Sequence, residues 1–320
     1  MFDSYLSLIE KEITQLPLGT RPKSLYDPIR YIMKLGGKRL RPMLTCLSYT
    51  MYREDVHMVV PYAAAVEAFH NFTLMHDDIM DKAPLRRGKP TVHEKFNANT
   101  AILSGDVMLV KVYDMLLPLP AVQLQEVLKV FNRTASEVCE GQQLDMEFEK
   151  LSKVSEKQYL EMIRLKTAVL LGFSLEFGAM LALASEEDRR ALYDFGVNIG
   201  IGFQLMDDLL DVYADQARFG KQVGGDIVSN KKTFLLVKAL ELARGRDKSE
   251  LKKWLDAKKF SKSKKVAAVT RIYNAVGVRA VTEKMASKYF EAGYRCLDRI
   301  NNPKKELLIA FARELSARQK

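Results

Sequence analysis

The sequence has no proline between Pro120 and Pro303 and no apolar run approaching the ~20 residues of a membrane span. The missing prolines argue against a multi-turn β architecture, and no segment alternates with period two for long enough to predict a strand. The acidic, amphipathic N-terminus (MFDSYLSLIEKEI) is unlike a signal peptide. Cys46, Cys139 and Cys296 lack metal-ligand spacing, so we expect reduced thiols in a cytoplasmic protein.

The net charge of +10 would suit a nucleic-acid-binding protein. Much of the positive charge, however, lies between Arg244 and Lys265, in sequence typical of exposed helix and loop. The chain has no zinc-finger spacing, no RNP-like aromatic motif and no helix-turn-helix signature. We therefore interpret the segment as a solvated basic face and expect no nucleic-acid partner and no stable membrane insertion.

Long segments rich in helix formers, with apolar residues at helical spacing, fill most of the chain. With 48% hydrophobic residues the chain can bury a sizeable core. We predict an all-α protein whose residues 1–320 form one large helical domain around a deep central cavity. The predicted helices are 59–82, 100–117, 122–150, 156–183, 186–214 and further helix in 233–320, with a helix at 25–51 interrupted by Gly36-Gly37, a loop at 83–97 and a lid loop at 213–232.

Two aspartate clusters share the spacing DDxxD. They end the segments HNFTLMHDDIMD and GFQLMDDLLD, and their members are Asp77, Asp78 and Asp81, and Asp207, Asp208 and Asp211. In a helix, positions i and i+4 share a face, so the outer aspartates of each motif form a two-carboxylate claw. Both motifs lie in apolar helical sequence, where unpaired carboxylates would be costly to desolvate. The claws suit Mg²⁺, which takes oxygen ligands and completes its shell with water and substrate phosphate.

Motifs around these claws resemble a known family. The stretch Gly36-Gly37-Lys38-Arg39-Leu40-Arg41-Pro42 precedes the first aspartate motif, and Arg86-Arg87-Gly88-x-Pro90-Thr91 follows it. Later matches are Gly141-Gln142-x-x-Asp145, Lys166-Thr167, Phe203-Gln204-x-x-Asp207-Asp208, Phe219-Gly220-Lys221, Gly225-Asp226 and Lys231-x-Thr233. In this order they resemble the trans-isoprenyl diphosphate synthases, the head-to-tail prenyltransferases that include farnesyl and geranylgeranyl diphosphate synthases.

The resemblance implies the isoprenoid synthase type I fold, a homodimer, and a Mg²⁺-dependent condensation of isopentenyl diphosphate with an allylic (dimethylallyl, geranyl or farnesyl) diphosphate. The expected ligands of isopentenyl diphosphate are Lys38, Arg41, His70 and Arg87. His70 lies two turns before Asp77 on the same helix face, although a lone inward histidine is more often a satisfied core residue. The expected residues around the allylic diphosphate are Arg86, Lys166, Thr167, Gln204, Lys221 and Lys231.

We expect Asp77 and Asp81 to hold two Mg²⁺ ions and Asp207 a third, with Asp78, Asp208 and Asp211 in supporting roles. Together with Lys166 and Lys221, the three principal aspartates are the predicted catalytic set. Arginine and lysine would neutralise the charge that develops on the leaving diphosphate. Departing diphosphate would take the proton that the second substrate loses, so no protein general base is required.

Product length is expected to depend on Phe72 and Thr73, which lie five and four residues before Asp77. In the family resembled, two aromatic residues there favour C15, one aromatic with an uninserted motif favours C20, and small residues permit longer chains. We therefore expect geranylgeranyl diphosphate, with farnesyl diphosphate and then a longer product as alternatives. Phe72 could instead be an ordinary core residue.

Other functions fit the sequence less well. A class I terpene cyclase shares the first motif, but its second motif is typically Asn/Asp-x-x-Ser/Thr-x-x-x-Glu, and it binds only one diphosphate. A non-catalytic regulatory subunit would be expected to lack one aspartate motif, and both are intact here. Gly141 is unfavourable within a helix by about 1 kcal/mol relative to alanine, which indicates either close approach of a helix or substrate, or a helix kink.

Overall fold

The computed structural model of the chain describes residues 2–214 and 224–317. The protein is all-α, as the sequence predicts. The helices up to residue 213 are α1 Phe2–Gln15, α2 Lys23–Lys34, α3 Leu40–Tyr52, α4 Val60–Met80, α5 Val92–Lys95, α6 Ala98–Leu116, α7 Ala121–Lys150, α8 Glu156–Ile163, α9 Val169–Leu181 and α10 Glu186–Tyr213. The later helices are α11 Gly225–Ser229, α12 Phe234–Leu242, α13 Gly245–Asp256, α14 Lys262–Ala275, α15 Val278–Leu297 and α16 Lys305–Ala317.

Local residues set several helix boundaries. The Ser155 hydroxyl accepts the backbone N–H of Gln158, whose side chain in turn accepts the N–H of Ser155, and this capping box begins α8. The predicted interruption at Gly36-Gly37 is confirmed, because α2 ends at Lys34 and α3 begins at Leu40. Both glycines have positive φ, at 76° and 147°, a region that residues with a Cβ rarely adopt.

Three predicted segments differ in detail from the structure. One is the lid loop expected at 213–232, whose described residues include α11, Gly225–Ser229, while residues 215–223 lie outside the described part of the chain. Residues 83–97, expected to be a loop, contain a short antiparallel hairpin and α5; its strands are β1 Leu85–Arg86 and β2 Lys89–Pro90. Strands of this length are too short to produce a detectable alternation of apolar and polar residues. The helix expected at 156–183 is divided into α8 and α9 by a π-helical turn, Arg164–Ala168. The rare i→i+5 pattern has no reliable sequence signal.

The chain divides into two compact units. The first unit comprises Met1–Asn132, Phe173–Tyr193 and Asn302–Leu308, and the second comprises Arg133–Gly172, Asp194–Asn301 and Ile309–Lys320. Each DDxxD motif lies in its own unit, because Asp77 belongs to the first and Asp207 to the second. That residues 1–320 form a single domain around a central cavity stays a prediction.

The core of the first unit is built on α4. This helix packs along α6 and against α3 and α1, and its buried alanines, Ala63, Ala64, Ala65 and Ala68, allow the close approach. Beside them the Phe69 ring meets that of Phe131 edge-on, with centroids 5.0 Å apart. Burial of these large apolar side chains is the main stabilising contribution, at roughly 25 cal/mol per Å² removed from water. Helix α4 is thereby held firmly where it carries Asp77 to Asp81.

Two clusters of buried apolar side chains lie in the described part of the second unit. One contains Tyr159, Leu205 and Phe234 from α8, α10 and α12. The other contains Leu209, Ile227 and Ile272, and so ties α10 to α11 and α14. Because α10 contributes to both clusters, its aspartate motif is fixed between them.

No helix in the described ranges 2–214 and 224–317 has the length and apolar character that crossing a membrane requires.

Candidate active site

The first aspartate motif occupies the last turn of α4. Asp77 is partly buried and Asp81 is exposed, and the Asp81 N–H donates to the Asp77 carbonyl at 2.8 Å, which closes that turn. Asp78 between them is only 1% exposed. The outer two carboxylates thus occupy consecutive turns, as the i,i+4 spacing predicts, while the middle one faces the protein.

Asp78 is held by an arginine fork. Arg86 Nε and Nη2 donate to the two carboxylate oxygens of Asp78 at 2.8 and 2.7 Å, and Nη2 lies 3.9 Å from Asp77 Oδ2. Burial opposes the charge of Arg86, but the hydrogen bonds and charge of Asp78, with the charges of Asp77 and Asp81, raise the pKa of the guanidinium above its ordinary value. Arg86 is therefore positioned beside the claw, with two of its donors already engaged.

The hairpin between α4 and α5 places the two arginines. Arg86 pairs with Lys89 across the strands, and the turn residues Arg87 and Gly88 have φ of 53° and 74°. Positive φ at both central residues is the pattern of a type I′ turn, which matches the twist of a two-stranded hairpin. The Arg87 guanidinium packs on Gly37, where an added Cβ would lie 2.7 Å from Arg87 Nη2. Glycine at this position therefore admits the arginine.

A second basic set surrounds His70, two turns before Asp77 on α4. Arg41 Nη1 lies 3.1 Å from His70 Nε2; since arginine only donates, Nε2 accepts and the imidazole is neutral with its hydrogen on Nδ1. Burial lowers the pKa of His70 well below its usual range, as do the charges of Arg41 and Arg87. Burial also lowers the pKa of Arg41 to about 10, an effect that Arg87 reinforces and Glu67 opposes.

One donor of this set is unsatisfied. Arg41 Nε is buried and has no hydrogen-bond partner in the described part of the chain. A buried N–H without an acceptor is costly, and nearby cations add to the local positive potential. The surroundings of Arg41 therefore fit an anion with several oxygens, such as a diphosphate. Lys38 is exposed in the loop between α2 and α3, and Arg87 is exposed in the hairpin turn.

A buried ion pair supports the basic set and was not predicted. Arg39, 3% exposed and with φ of 47°, donates to Glu67 Oε1 at 2.7 Å and to Glu10 Oε1 at 2.8 Å. Glu67 also accepts from Asn71 at 3.1 Å. Arg39 is thus engaged by protein carboxylates, which distinguishes it from its neighbours Lys38 and Arg41. The only signal in the sequence was a charged residue, Glu67, on an otherwise apolar stretch of α4.

The second aspartate motif, on α10, repeats the division seen in the first. Asp207 is exposed and Asp211 partly buried, whereas Asp208 is 4% exposed. Asp208 Oδ2 accepts from the Tyr159 hydroxyl and from the Phe234 N–H at 3.1 Å, and Oδ1 accepts from Gln204 Nε2 at 3.2 Å. Burial raises the pKa of Asp208 to about 6, although these hydrogen bonds act to lower it.

A fourth carboxylate joins the second motif. The Asp226 N–H donates to Asp211 Oδ2 at 3.0 Å. Burial raises the pKa of Asp226 to about 7; Lys231 opposes this shift, and the charges of Asp211, Asp208 and Asp207 add to it. The sequence analysis assigned no role to Asp226, although Gly225-Asp226 is one of the motifs that carry the family resemblance. The structure therefore collects more negative charge here than the DDxxD pattern alone indicates.

Two lysines and a hydrogen-bonded pair lie in the same unit. Lys166, in the π-helical turn, donates to Asp145 Oδ2 at 2.6 Å, and Lys231 Nζ lies 3.9 Å from the same oxygen. Thr167 Oγ1 donates to Gln204 Oε1 at 3.2 Å, which extends the hydrogen-bonded chain that begins at Asp208. Of the six residues expected around the allylic diphosphate, Lys221 lies outside the described residues.

Gly141 is explained by close helix packing. A Cβ added to Gly141 would lie 2.2 Å from the backbone nitrogen of Lys166. Helix α7 therefore passes directly against the backbone of the π-helical turn, and only glycine allows this separation. Of the alternatives that the sequence left open, close approach of a helix is confirmed.

The chain-length candidates are next to His70. Phe72 is buried, with its ring 4.8 Å from the His76 ring and 5.7 Å from the Phe69 ring. Thr73 Oγ1 donates to the His70 carbonyl at 2.8 Å. Phe72 is thus part of an aromatic cluster one to two turns before the first claw, a placement that agrees with either predicted role.

The residues fit a divalent metal that binds together with its substrate. In the described residues no three carboxylate, histidine or cysteine side chains converge as a ready metal cage. Mg²⁺ is commonly held by one or two carboxylates, several waters and substrate phosphates. The claw of Asp77 and Asp81 and the crowded carboxylates around Asp207 match that mode of binding. Burial raises the pKa of Asp211 and of Asp226, and the charge of the neighbouring Asp207 adds to both shifts, a repulsion that a bound cation would offset.

The fold and these sites define a class. An all-α chain that bears two DDxxD motifs on separate helices, with arginine and lysine beside them, is a type I isoprenoid synthase. Residues 22–273 match the model of the polyprenyl synthetase family, and the chain belongs to that family. The matched range includes every candidate site residue from Lys38 to Lys231. The prediction of a prenyltransferase is confirmed, and members of the family use a divalent metal.

Similar proteins cover the whole chain. A geranylgeranyl diphosphate synthase from Methanosarcina mazei is 37% identical over 316 residues, which are 98% of this chain and 95% of the relative. A crystal structure of a geranylgeranyl pyrophosphate synthase superposes with a TM-score of 0.93 at 41% identity, covering 98% of this chain and 97% of that chain. A geranylgeranyl pyrophosphate synthase from Corynebacterium glutamicum, complexed with isoprenyl diphosphate and magnesium, has a TM-score of 0.87 at 29% identity and covers 100% and 99%.

Proposed function

We propose that this chain is a Mg²⁺-dependent geranylgeranyl diphosphate synthase, which condenses an allylic diphosphate with isopentenyl diphosphate head to tail. The observation that carries the proposal is the arrangement of α4. Its last turn holds the carboxylate pair Asp77 and Asp81, and His70, seven residues earlier, belongs to a separate basic set. Seven residues of helix span about 10.5 Å, at 1.5 Å per residue. One helix thus presents a metal-binding end and an anion-binding middle, as an enzyme with two diphosphate substrates needs.

We assign the allylic diphosphate to the aspartate motifs. Asp77 and Asp81 are proposed to hold two Mg²⁺ ions and Asp207 a third. Asp78 and Asp208 support them, because the oxygens of both already accept protein hydrogen bonds. Asp211 has the same supporting role, because its carboxylate accepts the Asp226 N–H. When bound, the metal ions stabilise the negative charge that develops on the leaving diphosphate.

Cationic side chains complete the neutralisation of that diphosphate. Arg86 lies beside Asp77, and Lys166 and Lys231 are both close to Asp145. Lysine and arginine donors that are already in place need little reorganisation when the C–O bond breaks. Thr167 and Gln204, hydrogen-bonded to each other, are proposed to steady the allylic group. Lys221 is assigned here on the family resemblance.

Isopentenyl diphosphate is assigned to the basic set of the first unit. The unsatisfied Arg41 Nε and the exposed Lys38 and Arg87 supply hydrogen-bond donors. The negative charge of Glu67 offsets part of the positive charge of Arg41 and Arg87. His70 is neutral, so it donates through Nδ1 and adds no charge.

In the reaction, the allylic C–O bond breaks and the electron pair leaves with inorganic diphosphate. The double bond of isopentenyl diphosphate attacks the allylic carbon, and a new C–C bond forms. The departing diphosphate takes the proton lost from the condensed product. The protein orients the two substrates and excludes water, which would otherwise capture the allylic cation.

A C20 product is supported by the aromatic residue Phe72 beside the small Thr73, and by the names of the similar proteins. Farnesyl diphosphate and longer products remain the alternatives that this assignment must exclude. A homodimer is also proposed. Apolar side chains that are exposed on α6, just beyond its end and in the first turn of α7 offer an interface, namely Ile102, Leu103, Val110, Leu117 and Val122. Cys46, Cys139 and Cys296 are unpaired, which supports a cytoplasmic location.

The decisive experiment is incubation of the purified protein with dimethylallyl and isopentenyl diphosphates and Mg²⁺, followed by sizing of the dephosphorylated alcohols. Geranylgeraniol as the main product is expected, and EDTA should abolish its formation. A cyclase would consume no isopentenyl diphosphate, and a regulatory subunit would turn over neither substrate. Asp81→Asn is the variant to compare with the wild type. It removes one claw carboxylate at an exposed position and should leave the free energy of unfolding unchanged.

A further inference from the structure

The segment from Arg244 to Lys264 carries a concentrated positive charge that the proposed reaction does not use. Nine of its residues are lysine or arginine and three are acidic, so it supplies a net +6 of the chain's +10. We name this segment the basic surface. It comprises α13, the connection that follows, and the first turn of α14.

All nine cations of the basic surface are exposed: Arg244, Arg246, Lys248, Lys252, Lys253, Lys258, Lys259, Lys262 and Lys264. On α13 the buried Leu251 faces the core, while Lys252 and Lys253 point away from it. The periodicity of the helix therefore sorts the apolar side chains inward and the lysines outward. All nine charges of the basic surface are therefore presented to the surroundings.

The acidic residues of this segment are largely neutralised from outside it. Arg271 on α14 binds Asp247 Oδ1 at 3.1 Å and Glu250 Oε2 at 2.8 Å. None of the nine exposed cations forms an ion pair with any residue that the structure describes. Arg271 thus pairs with two carboxylates that would otherwise neutralise part of the positive charge of the neighbouring lysines.

The arrangement is unfavourable for the isolated protein. Like charges at short spacing repel, and the first turn of a helix favours acidic rather than basic side chains. Lys262 and Lys264 nevertheless occupy the first turn of α14. A role in folding stability does not account for such a cluster, whereas an anionic partner would compensate for the repulsion.

We propose that the basic surface docks the enzyme on an anionic phospholipid bilayer. A negatively charged leaflet attracts clustered lysine and arginine without any inserted segment. The choice of a bilayer rests in part on the proposed function, because a prenyl diphosphate product has a long apolar tail that partitions into lipid. Docking would place the release of that product at the membrane surface.

A nucleic acid fits the same surface less well. Recognition of exposed bases relies on aromatic rings that are free to stack. The single tryptophan, Trp254, packs against a buried apolar cluster, and the Phe260 ring lies 4.3 Å from Lys265 Nζ. The rings of this segment are therefore engaged by the protein.

Helix α14 connects the basic surface to the second aspartate motif. Lys265, 0% exposed, donates to the Val228 carbonyl at 3.2 Å and to Asn230 Oδ1 at 2.5 Å. These contacts hold the segment that contains Asp226, whose N–H binds Asp211. The docked surface would therefore be part of the same rigid packing as the residues proposed to handle diphosphate.

The test uses the full chain and sedimentation with vesicles, in the absence of substrate. The vesicles are phosphatidylcholine alone, or phosphatidylcholine with about one-third phosphatidylglycerol, at low and high salt. The patch variant combines Lys252→Gln, Lys253→Gln, Lys262→Gln and Lys264→Gln. A control of equal net charge combines Lys11→Gln, Lys153→Gln, Lys284→Gln and Lys288→Gln, all exposed lysines outside the basic surface.

Wild type and control should bind only the anionic vesicles, in a salt-sensitive manner, and the patch variant should bind at least about 10-fold more weakly. The patch variant should keep wild-type turnover in vesicle-free solution, so loss of docking is distinguishable from failure of the proposed reaction. Equal loss in the control would overturn the proposal, because binding would then follow net charge alone. Equal binding to neutral vesicles, or tighter binding to a short DNA duplex than to anionic vesicles, would also overturn it.

Discussion

The middle aspartate of each motif differs physically from its neighbours. Asp78 is buried against the fork of Arg86, and Asp208 is buried under Tyr159, Phe234 and Gln204. A buried carboxylate requires such partners, since an unsatisfied charge inside a protein is costly. The outer aspartates remain accessible to a metal. Within one DDxxD pattern the chain thus separates a carboxylate that is held by the protein from carboxylates that remain more exposed.

Removal of the Tyr159 hydroxyl tests whether the buried middle aspartate, Asp208, has a positioning role. Tyr159→Phe removes one donor to Asp208 and leaves the other two, so we expect the free energy of unfolding to fall by about 1–3 kcal/mol. Turnover should fall about 10-fold with a smaller change in KM for the allylic substrate, because the motif is mispositioned while its ligands persist. Steady-state kinetics and urea unfolding measure both effects.

Tyr273→Phe is the control, because it removes the hydroxyl of a buried tyrosine that has no hydrogen bond to another described residue. Equal effects of the two variants would show that Tyr159 has no special role.

The carboxyls of Asp208 and Asp226 predict an inverse pH dependence of stability. Burial raises their pKa values to about 6 and about 7, above the ~3.9 of an unfolded chain. Between these limits the folded state binds more protons than the unfolded state, so this contribution to the unfolding free energy is present below pH ~4 and is lost as pH rises towards 7. In EDTA, Asp226→Asn should therefore flatten the fall in stability between pH 5 and pH 8.

Mg²⁺ should restore wild-type stability mainly at pH 8, where the carboxylates are ionised. Urea unfolding with and without Mg²⁺ provides the measurement. A variant with the same pH dependence as wild type would rule Asp226 out as the cause.

Phe72 tests the control of product length. Phe72→Ala shortens a side chain that lies one to two turns before the claw, so a longer product than that of the wild type is expected, detected by sizing the alcohols. Phe69→Ala removes the neighbouring core ring and should lower stability by about 3–5 kcal/mol without changing product length. If Phe72→Ala also leaves the product length unchanged, Phe72 is simply a core residue.

Among the helices, the π-helical turn between α8 and α9 has the clearest structural cause. It carries Lys166 and Thr167 and lies directly against Gly141 of α7. π-helical turns are rare and are frequent at functional sites. Here the turn redirects two consecutive side chains, one to Asp145 and the other to Gln204.

Substitution at Gly141 should disturb that turn. A Cβ in Gly141→Ala would have to displace the Lys166 backbone, so we expect a loss of about 1–3 kcal/mol in unfolding free energy and reduced turnover. Gly293→Ala on α15 is a matched control, because its nearest neighbour is a flexible atom, Ile199 Cδ1, at 3.2 Å. Thermal unfolding and activity assays should show a loss for Gly141→Ala that Gly293→Ala does not share. Comparable behaviour would contradict the close-packing explanation.

The exposed apolar face of α6 bears on assembly. Leu103 and Val110, seven residues apart, lie on the same side of the helix and are 58% and 57% exposed. If this face forms a homodimer interface, the double variant Leu103→Glu, Val110→Glu should be monomeric by light scattering, because two charges per protomer would be desolvated there. Met58→Glu, at a 63% exposed position outside α6, should leave the mass unchanged. A double variant with the wild-type mass would exclude this interface.

Much of the first site was readable from local pattern. The i,i+4 spacing of Asp77 and Asp81, the placement of His70 two turns earlier, and the break at Gly36-Gly37 depend on residues within one turn or two of each other. Helical geometry converts such spacings directly into positions. The helix boundaries were therefore largely predictable, whereas the π-helical turn and the two-residue strands left no periodic signal.

By contrast, the tertiary structure decided which side chains hydrogen-bond to each other. Tyr159 reaches Asp208 across 49 positions of sequence, Arg39 reaches Glu67 across 28, and Asp226 reaches Asp211 across 15. No spacing rule links residues so far apart, because packing alone determines which side chains meet and which become buried. The sequence by itself determined the residues that supply the charge, and tertiary packing decided which of them are held by the protein and which remain accessible to a metal or a diphosphate.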